Sequence, residues 1–205
     1  GLGNEEYLTG AFPRCGGVLG GTAFVSVHRV GPATAHHQHS GHVAIGAHSP
    51  LPPEVVEGAA WLLRRTGFAI QVLPSLARGR WEKQLWNVPF NGLGAVMLAD
   101  TEVLLSTGVG RELVRGVMDE VMRVAEADGS GLPRDLPEAK IRYTLGMGAY
   151  KTSMQLDREA GRAMEIGSIL GSVTQRARSH QQPTPRLELL ELQLRAIDTG
   201  ETKHP

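Results

Sequence analysis

The sequence predicts an α+β protein in two parts, a small β-containing segment at residues 1–74 and an all-α domain at residues 75–205. Two observations support this division. Runs rich in β-branched residues and bounded by Gly and Pro occur only before Pro74, whereas long amphipathic stretches occur only after it. The second part, at about 130 residues, also has an ordinary domain size.

The first part begins with a predicted pair of strands. Residues 18–31 and 42–48 are rich in β-branched side chains and partly alternate between apolar and polar residues. We expect these strands to pair in antiparallel orientation, joined by a turn around Ser40 and Gly41.

A helix and a third strand follow the pair. Residues 52–67 are predicted to be helical, because Pro53 suits the first turn of a helix and Gly67 suits its end. Residues 68–74 are predicted to form a short strand. Three strands and one helix cover only one face of a sheet, so this part is expected to need a partner.

The second part is predicted to be helical throughout. Amphipathic helices are expected at residues 75–98, 109–127, 137–150, 164–179 and 185–198. In the second of them, one face carries Leu113, Val117, Val121 and Val124, and Gly129 ends the run.

The composition disfavours several classes of partner. Twenty-one basic residues balance 21 acidic ones, so no net field attracts the chain to nucleic acid or to anionic lipid. No apolar run approaches the ~20 residues that a bilayer-spanning helix needs. The single Cys15 cannot form an internal disulfide, and the first residues lack a secretory signal, which suggests a reducing, cytoplasmic setting.

A histidine-rich run at residues 36–42 raises the alternative of a metal site. If His37 and His39 alternate on one strand face, with His42 across the turn, the three imidazoles could chelate a divalent cation. No Cys, Asp or Glu joins them within the run. Exposed hairpin residues are therefore the favoured interpretation, and no metal site is assigned.

The densest polar group within an apolar helix lies at residues 80–98. Lys83, Asn87 and Asn91 recur every four residues, so a helix places them along one stripe. Such side chains need partners or a wet cleft, because unpaired burial costs several kcal/mol for a charge and roughly 1–3 kcal/mol for an amide. Alternatively, Lys83 reaches solvent and the asparagines merely pack. Pro89 removes one backbone hydrogen bond and is expected to kink the helix.

A second polar group lies at residues 150–171. Ser153 could cap a helical turn, and Glu165 suits the positive end of a helix that starts near residue 164; neither residue alone indicates a site. A basic set near the C-terminus could either bind an anion or form a solvated helix end; it comprises Arg176, Arg178 and Arg186.

Together these motifs resemble the ketopantoate reductase (2-dehydropantoate 2-reductase) family, in its C-terminal portion including the whole helical domain. The family's helical domain opens with a lysine and asparagines four and eight residues later, as in Lys83, Asn87 and Asn91. Its second motif, SM-x-x-D, then GR, then TEI, is matched by Ser153, Met154, Asp157, Gly161, Arg162, Glu165 and Ile166. The segments GLGNEE, VLGGTAF, RVGP and HVAIG resemble the end of the family's first domain, so the resemblance spans essentially the whole chain.

The resemblance implies NADPH-dependent reduction of a 2-oxo acid, 2-dehydropantoate to pantoate, in pantothenate and coenzyme A biosynthesis. Lys83 would be the general acid and the partner of the developing alkoxide. Glu165 would hold the lysine ammonium and a substrate hydroxyl, and Ser153 would bind the substrate carboxylate. Asn87 and Asn91 would orient the lysine and the hydroxyl.

The resemblance also implies the fold. Residues 1–74 would be the C-terminal remnant of an NADPH-binding Rossmann domain, and residues 75–205 a substrate-binding and catalytic domain of the 6-phosphogluconate dehydrogenase C-terminal-like type. A dinucleotide site needs G-x-G-x-x-G, but the G-x-G segments that begin at Gly1, Gly108 and Gly146 continue to Glu6, Leu113 and Lys151. We therefore expect the cofactor site, and a catalytic Asn that would precede Leu2, on a missing N-terminal Rossmann domain or on another chain.

Two departures from the family pattern leave the substrate open. Gly167 stands where the family has Asp, and Pro89 lies between the two asparagines instead of after the second. The alternatives are a reductase of a different 2-oxo acid and a non-catalytic remnant or dimerising helical module. Formation of a homodimer is left open by the sequence.

Overall fold

The computed structural model of the protein describes residues 2–198, except for six side chains: Ser26, His28, Arg29, Gln38, His39 and Ser40. The chain divides into two compact units, residues 3–80 and residues 81–198 with Leu2. The domain limits 1–74 and 75–205 stay a prediction.

The first unit is a three-stranded sheet with two helices. Its elements are α1 (Asn4–Ala11), β1 (Leu19–Gly31), β2 (Thr34–Ala47), α2 (Pro53–Arg64) and β3 (Ala69–Val72). The strand order is β1-β2-β3, with an antiparallel first pair and a parallel second pair. Because α2 connects two parallel strands, β2, α2 and β3 form a βαβ unit.

The predicted hairpin turn around Ser40 and Gly41 is wrong. The strand β2 extends back to Thr34, and the turn lies at Pro32, whose fixed φ and missing N–H suit such a position. Gly41 lies within β2, where it is needed for close packing of the strands and not for a turn. A Cβ there would lie 2.6 Å from the carbonyl oxygen of Phe24, so only glycine permits this close approach of the two strands.

Helix α1 was not predicted, because its sequence carries no apolar stripe. Its only buried residue is Glu5, and this carboxylate forms an ion pair with the guanidinium of Arg80. Because the partner of Glu5 lies far along the chain, this ion pair leaves no periodic apolar pattern in the sequence of the helix.

The remaining elements are helical. They are α3 (Leu76–Met97), α4 (Thr101–Ser106), α5 (Gly108–Ala127), α6 (Leu136–Leu145), α7 (Ser153–Glu159), a π-helical turn (Gly167–Gly171), α8 (Ser172–Ser179) and α9 (Pro185–Asp198). The five predicted helices correspond to α3, α5, α6, the π-helical turn with α8, and α9. Helix α6 ends five residues before the predicted limit, where Gly146 follows it and Gly148 takes a φ of +70°.

Two short helices escaped prediction because each spans fewer than two full turns. Helix α4 is capped by Asp100, whose side chain accepts a hydrogen bond from the Val103 N–H. Helix α7 is capped by Thr152, which accepts one from Gln155 at 3.4 Å. The cap is thus Thr152, and the expectation that Ser153 caps this turn is wrong.

The core of the second unit is built around α3 and α5. On α5 the predicted apolar face is confirmed for Val117, Val121 and Val124, all buried, but Leu113 is 40% exposed. Helix α3 is continuous through Pro89, so the lysine and both asparagines of the predicted stripe share one helix. None of the described helices has the length and apolarity needed to cross a bilayer.

Candidate functional site

Helix α3 carries the first group of predicted site residues. Lys83 and Asn87 are half-buried, and Asn91 is buried. The helix is fixed beside them by Trp86, whose indole N–H donates to Thr144 Oγ1 at 2.9 Å. The stripe therefore lies on a rigid, packed helix, which favours a defined geometry for its polar groups.

Asn91 and Ser153 are brought into contact. The Asn91 Oδ1 atom accepts a hydrogen bond from Ser153 Oγ at 3.3 Å and another from the backbone N–H of Met154 at 3.2 Å. One carboxamide of α3 thus fixes the start of α7 and the serine hydroxyl. Ser153 itself remains exposed.

The middle of the second motif forms the turn that leads to Glu165. Arg162 forms an ion pair with Asp157 at 2.7 Å, and its backbone N–H donates to the Asp157 carbonyl at 2.8 Å. Gly161 takes a φ of +64°, a conformation that favours glycine. These motif positions therefore fix the backbone, and their side chains are engaged with each other.

Glu165 is exposed, and its main chain is better fixed than its side chain. Its carbonyl accepts hydrogen bonds from the Ile169 N–H at 3.1 Å and from Ser168 Oγ at 3.2 Å. Its carboxylate makes no hydrogen bond or ion pair with any residue between 2 and 198 that the structure describes. The expected contact with Lys83 is not made here and stays a prediction.

Gln84 connects α3 to the segment after Glu165, and the sequence analysis did not identify it. Its Nε2 atom lies 3.4 Å from the Ser168 carbonyl, 3.3 Å from the Ile169 carbonyl and 3.2 Å from Ser172 Oγ. Gln84 falls on the same helical face as buried apolar residues, so the pattern suggested simple packing. A buried carboxamide on such a face needs partners, and that requirement was the available signal.

The structure joins the Asn91 carboxamide to the Ser153 hydroxyl and ties the segment after Glu165 to α3, the helix that also carries Lys83 and Asn87. The ammonium can donate a hydrogen bond or a proton to an oxygen that gains negative charge. The amides and the hydroxyl can hold a small molecule that carries carboxylate and hydroxyl groups.

The histidine run does not form the arrangement of the metal-site alternative. His37 and His42 both lie on β2, so the placement of His42 across a turn is wrong, and its ring stacks on Phe24 with centroids 4.6 Å apart. The side chain of His39 lies outside the described residues. Within the described part of the chain, no three His, Cys, Asp or Glu side chains are grouped so as to hold a metal ion.

The basic set near the C-terminus is partly engaged within the protein. Arg176 lies 3.1 Å from both carboxylate oxygens of Asp128, whereas Arg178 and Arg186 are exposed. In the first unit an open depression of about 420 Å³ is lined by Gly16, Gly17, Leu19, Leu51, Pro52 and Val55, none of which titrates. Neither feature adds chemical groups to the candidate site.

Comparison with known proteins gives concordant matches. A family model described as "Ketopantoate reductase PanE/ApbA C terminal" matches residues 75–198, which is more than half of the chain. A 2-dehydropantoate 2-reductase from Nostoc sp. is 30% identical over 203 residues, covering 97% of this chain and 63% of the relative. The chain thus spans a little less than two thirds of that relative's length.

Solved structures agree with this match. A 2-dehydropantoate 2-reductase from Geobacter metallireducens GS-15 superposes with a TM-score of 0.89 at 36% identity, covering 95% of this chain and 65% of that one. A D-mandelate dehydrogenase solved with NADH superposes with a TM-score of 0.87 at 20% identity, covering 98% of this chain and 68% of that one. The second likeness is one of fold alone.

Proposed function

Because the chain belongs to the ketopantoate reductase family and matches its C-terminal portion, we propose that it provides the substrate-binding and proton-donating part of an NADPH-dependent 2-oxo acid reductase. The proposed substrate is 2-dehydropantoate and the product is pantoate. One observation carries the proposal: both motif segments, at Ser153 and just after Glu165, are hydrogen-bonded to side chains of the helix that bears Lys83.

The chemistry proposed for this chain is acid catalysis and substrate binding. NADPH, when bound, supplies the hydride. The Lys83 ammonium donates to the keto oxygen and transfers a proton as that oxygen becomes an alkoxide. Glu165 holds the substrate hydroxyl and the ammonium, and Ser153 binds the carboxylate. Asn87 and Asn91 orient these groups, the latter through its contact with the serine hydroxyl.

The cofactor site is proposed to lie outside the described residues. No G-x-G segment within residues 2–198 continues to the third glycine that a pyrophosphate site needs, so no residue of this chain is assigned to the cofactor. The βαβ unit is what the end of a Rossmann sheet would contain, and the helical part would be of the 6-phosphogluconate dehydrogenase C-terminal-like type. We propose that a nucleotide-binding half precedes both.

The cellular setting is part of the proposal. An exposed, lone Cys15 suits a reducing compartment, so we propose a cytoplasmic enzyme of pantothenate biosynthesis.

A different 2-oxo acid is the second candidate substrate, and Gly167 is the observation that favours it. A Cβ built at this position meets no atom within 4 Å, and the backbone there does not require glycine. The Asp that the family carries would therefore fit. Since packing does not explain its replacement, we propose that a changed substrate contact does.

The test is the substitution Lys83→Ala in the full-length protein, assayed by NADPH oxidation with 2-dehydropantoate. Loss of the general acid is expected to lower kcat by about 10²–10⁴-fold. The circular dichroism spectrum and the Tm should be retained. Lys140→Ala, which removes a lysine of α6 outside the site, is the matched control and should leave kcat unchanged.

Near-normal turnover by Lys83→Ala contradicts the role of this lysine. A wild-type protein that reduces only another 2-oxo acid supports the second candidate. A wild-type protein that reduces no 2-oxo acid with NADPH contradicts the proposed reductase function.

A further inference from the structure

We propose that Gln84 is a positioning residue of the reaction, which fixes the segment bearing Glu165 to the helix bearing Lys83. The proposal rests on the function proposed above and adds a residue to it. It follows from three hydrogen bonds, from an irregular helical turn, and from the place of that turn in the chain.

The side chain of Gln84 is buried, and so is its hydrogen bond to the Ile169 carbonyl. The residue is only 4% exposed, and its Nε2 atom reaches two carbonyls and one hydroxyl at 3.2–3.4 Å. A carboxamide nitrogen has two N–H donors, so the three acceptors share them. Each bond is long, but loss of the donor would leave the buried Ile169 carbonyl without this partner.

The two carbonyl acceptors belong to a π-helical turn, and the hydroxyl acceptor belongs to the residue that follows it. The N–H of Ser172 bonds to the carbonyl of Gly167, five residues earlier, which is the spacing of a π-helix. Such a turn interrupts the regular ladder of backbone bonds. The carbonyls of Ser168 and Ile169 accept from the side chains of Gln84 and Ser172. The turn is thus anchored by side chains.

The same two residues fix the main chain of Glu165. Ser168 Oγ and the N–H of Ile169 both donate to its carbonyl. The Glu165 carboxylate forms no hydrogen bond or ion pair with the described residues, so its direction depends on this backbone anchor. Gly167, between the glutamate and the anchor, adds backbone freedom that Gln84 offsets. Gln84 therefore sets the position of Glu165 relative to Lys83, the residue that precedes Gln84 on α3.

The test is a double-mutant cycle in the full-length enzyme with Gln84→Met, Glu165→Gln and both together. Methionine keeps the volume of Gln84 but cannot donate a hydrogen bond. We expect Gln84→Met alone to lower kcat/KM about tenfold, since small displacements of catalytic groups have effects of this order or greater. In the Glu165→Gln background the further loss should be less than about twofold, because the two residues act on one function.

A merely structural role for Gln84 would give a different result. It would lower kcat/KM by the same factor in both backgrounds, and that result, or an unchanged kcat/KM, overturns the proposal. Glu120→Gln, which weakens a buried hydrogen-bonded contact on α5, is the stability control and should leave kcat/KM unchanged at a temperature where the protein is folded. If Gln84→Met does not fold, Gln84→Asn, whose donor is one methylene shorter, takes its place in the cycle.

The wild-type assay separates this proposal from the proposed function. An active wild type with additive variants contradicts only the role of Gln84. A wild type without reductase activity contradicts the proposed function, and the role of Gln84 with it.

Discussion

Gly110, in the first turn of α5, lies against the backbone of the preceding helix. A Cβ at this position would lie 2.1 Å from the carbonyl oxygen of Leu104. Because this oxygen belongs to the backbone, it cannot easily move away. We predict that Gly110→Ala lowers the free energy of unfolding by about 1–3 kcal/mol or more, as overpacking does. Urea unfolding followed by circular dichroism measures the change.

Gly108→Ala is the matched control for this substitution. It lies in the same turn of α5, but its Cβ would meet no atom within 4 Å. This variant should be neutral or more stable than wild type by up to about 1 kcal/mol, because alanine favours the helix. Equal destabilisation by both substitutions would show that the helix start itself, and not the contact with Leu104, requires glycine.

At the residue scale, the sequence predicted which side chains share one helix better than it predicted which side chains form contacts between different elements. The four-residue spacing of Lys83, Asn87 and Asn91 is a local property of one helix, and the structure places all three on α3. The partners of Gln84 lie more than 80 residues away, so no local pattern could reveal them. The roles of these residues stay predictions.

At the scale of the element, Glu120 fixes the start of α9 from the middle of α5. It is completely buried, and its carboxylate accepts hydrogen bonds from the N–H groups of Arg186 and Leu187 at 3.1 and 2.9 Å. A carboxylate in this position satisfies two of the N–H groups that a helix start leaves without partners.

We predict that Glu120→Gln lowers the free energy of unfolding by about 1–3 kcal/mol, because the neutral amide offers one acceptor where the carboxylate offers two. Thermal and urea unfolding provide the measurement. Glu112→Gln, at an exposed position of the same helix, should change the stability by less than about 0.5 kcal/mol. A loss at Glu120 no greater than at Glu112 would refute the capping role.

The accuracy with which each helix or strand was predicted depends on its length and on what sets its boundaries. Helices such as α5 and α9 were found at nearly the expected limits, because many turns of apolar periodicity specify them. The β1–β2 turn was misplaced because Gly41 suggested a turn, whereas it serves close strand contact. Helices α4 and α7 are too short for periodicity and depend on caps.

At the scale of the whole molecule, acid should unfold the helical unit partly through Asp128. This carboxylate accepts from the Trp81 indole at 2.8 Å and contacts Arg176 and His180, so it joins α3, the end of α5 and α8. Burial alone would raise the pKa of Asp128. Hydrogen bonds from His180 and Trp81, with the charge of Arg176, outweigh burial and hold the pKa below its ordinary 3.8.

A depressed pKa in the folded state stabilises the protein above the ordinary value of 3.8 and loses that effect as the pH falls below it. We predict that Asp128→Asn lowers the free energy of unfolding by about 1–3 kcal/mol at pH 7, as loss of charged hydrogen bonds does. The difference from wild type should shrink below pH 3.8. Urea unfolding across this pH range tests it, and a difference independent of pH would contradict the role of the charge.

The open space at Gly167 bears on how such an enzyme could diversify. The position adjoins a candidate catalytic segment, yet a Cβ there would have no neighbouring atom within 4 Å. Most positions next to a site are also tied to the core, so a change in chemistry there costs stability. At Gly167 the requirements of packing and of site chemistry are separate. Substitutions there, in evolution or in a mutant library, can therefore change the substrate preference with little loss of stability.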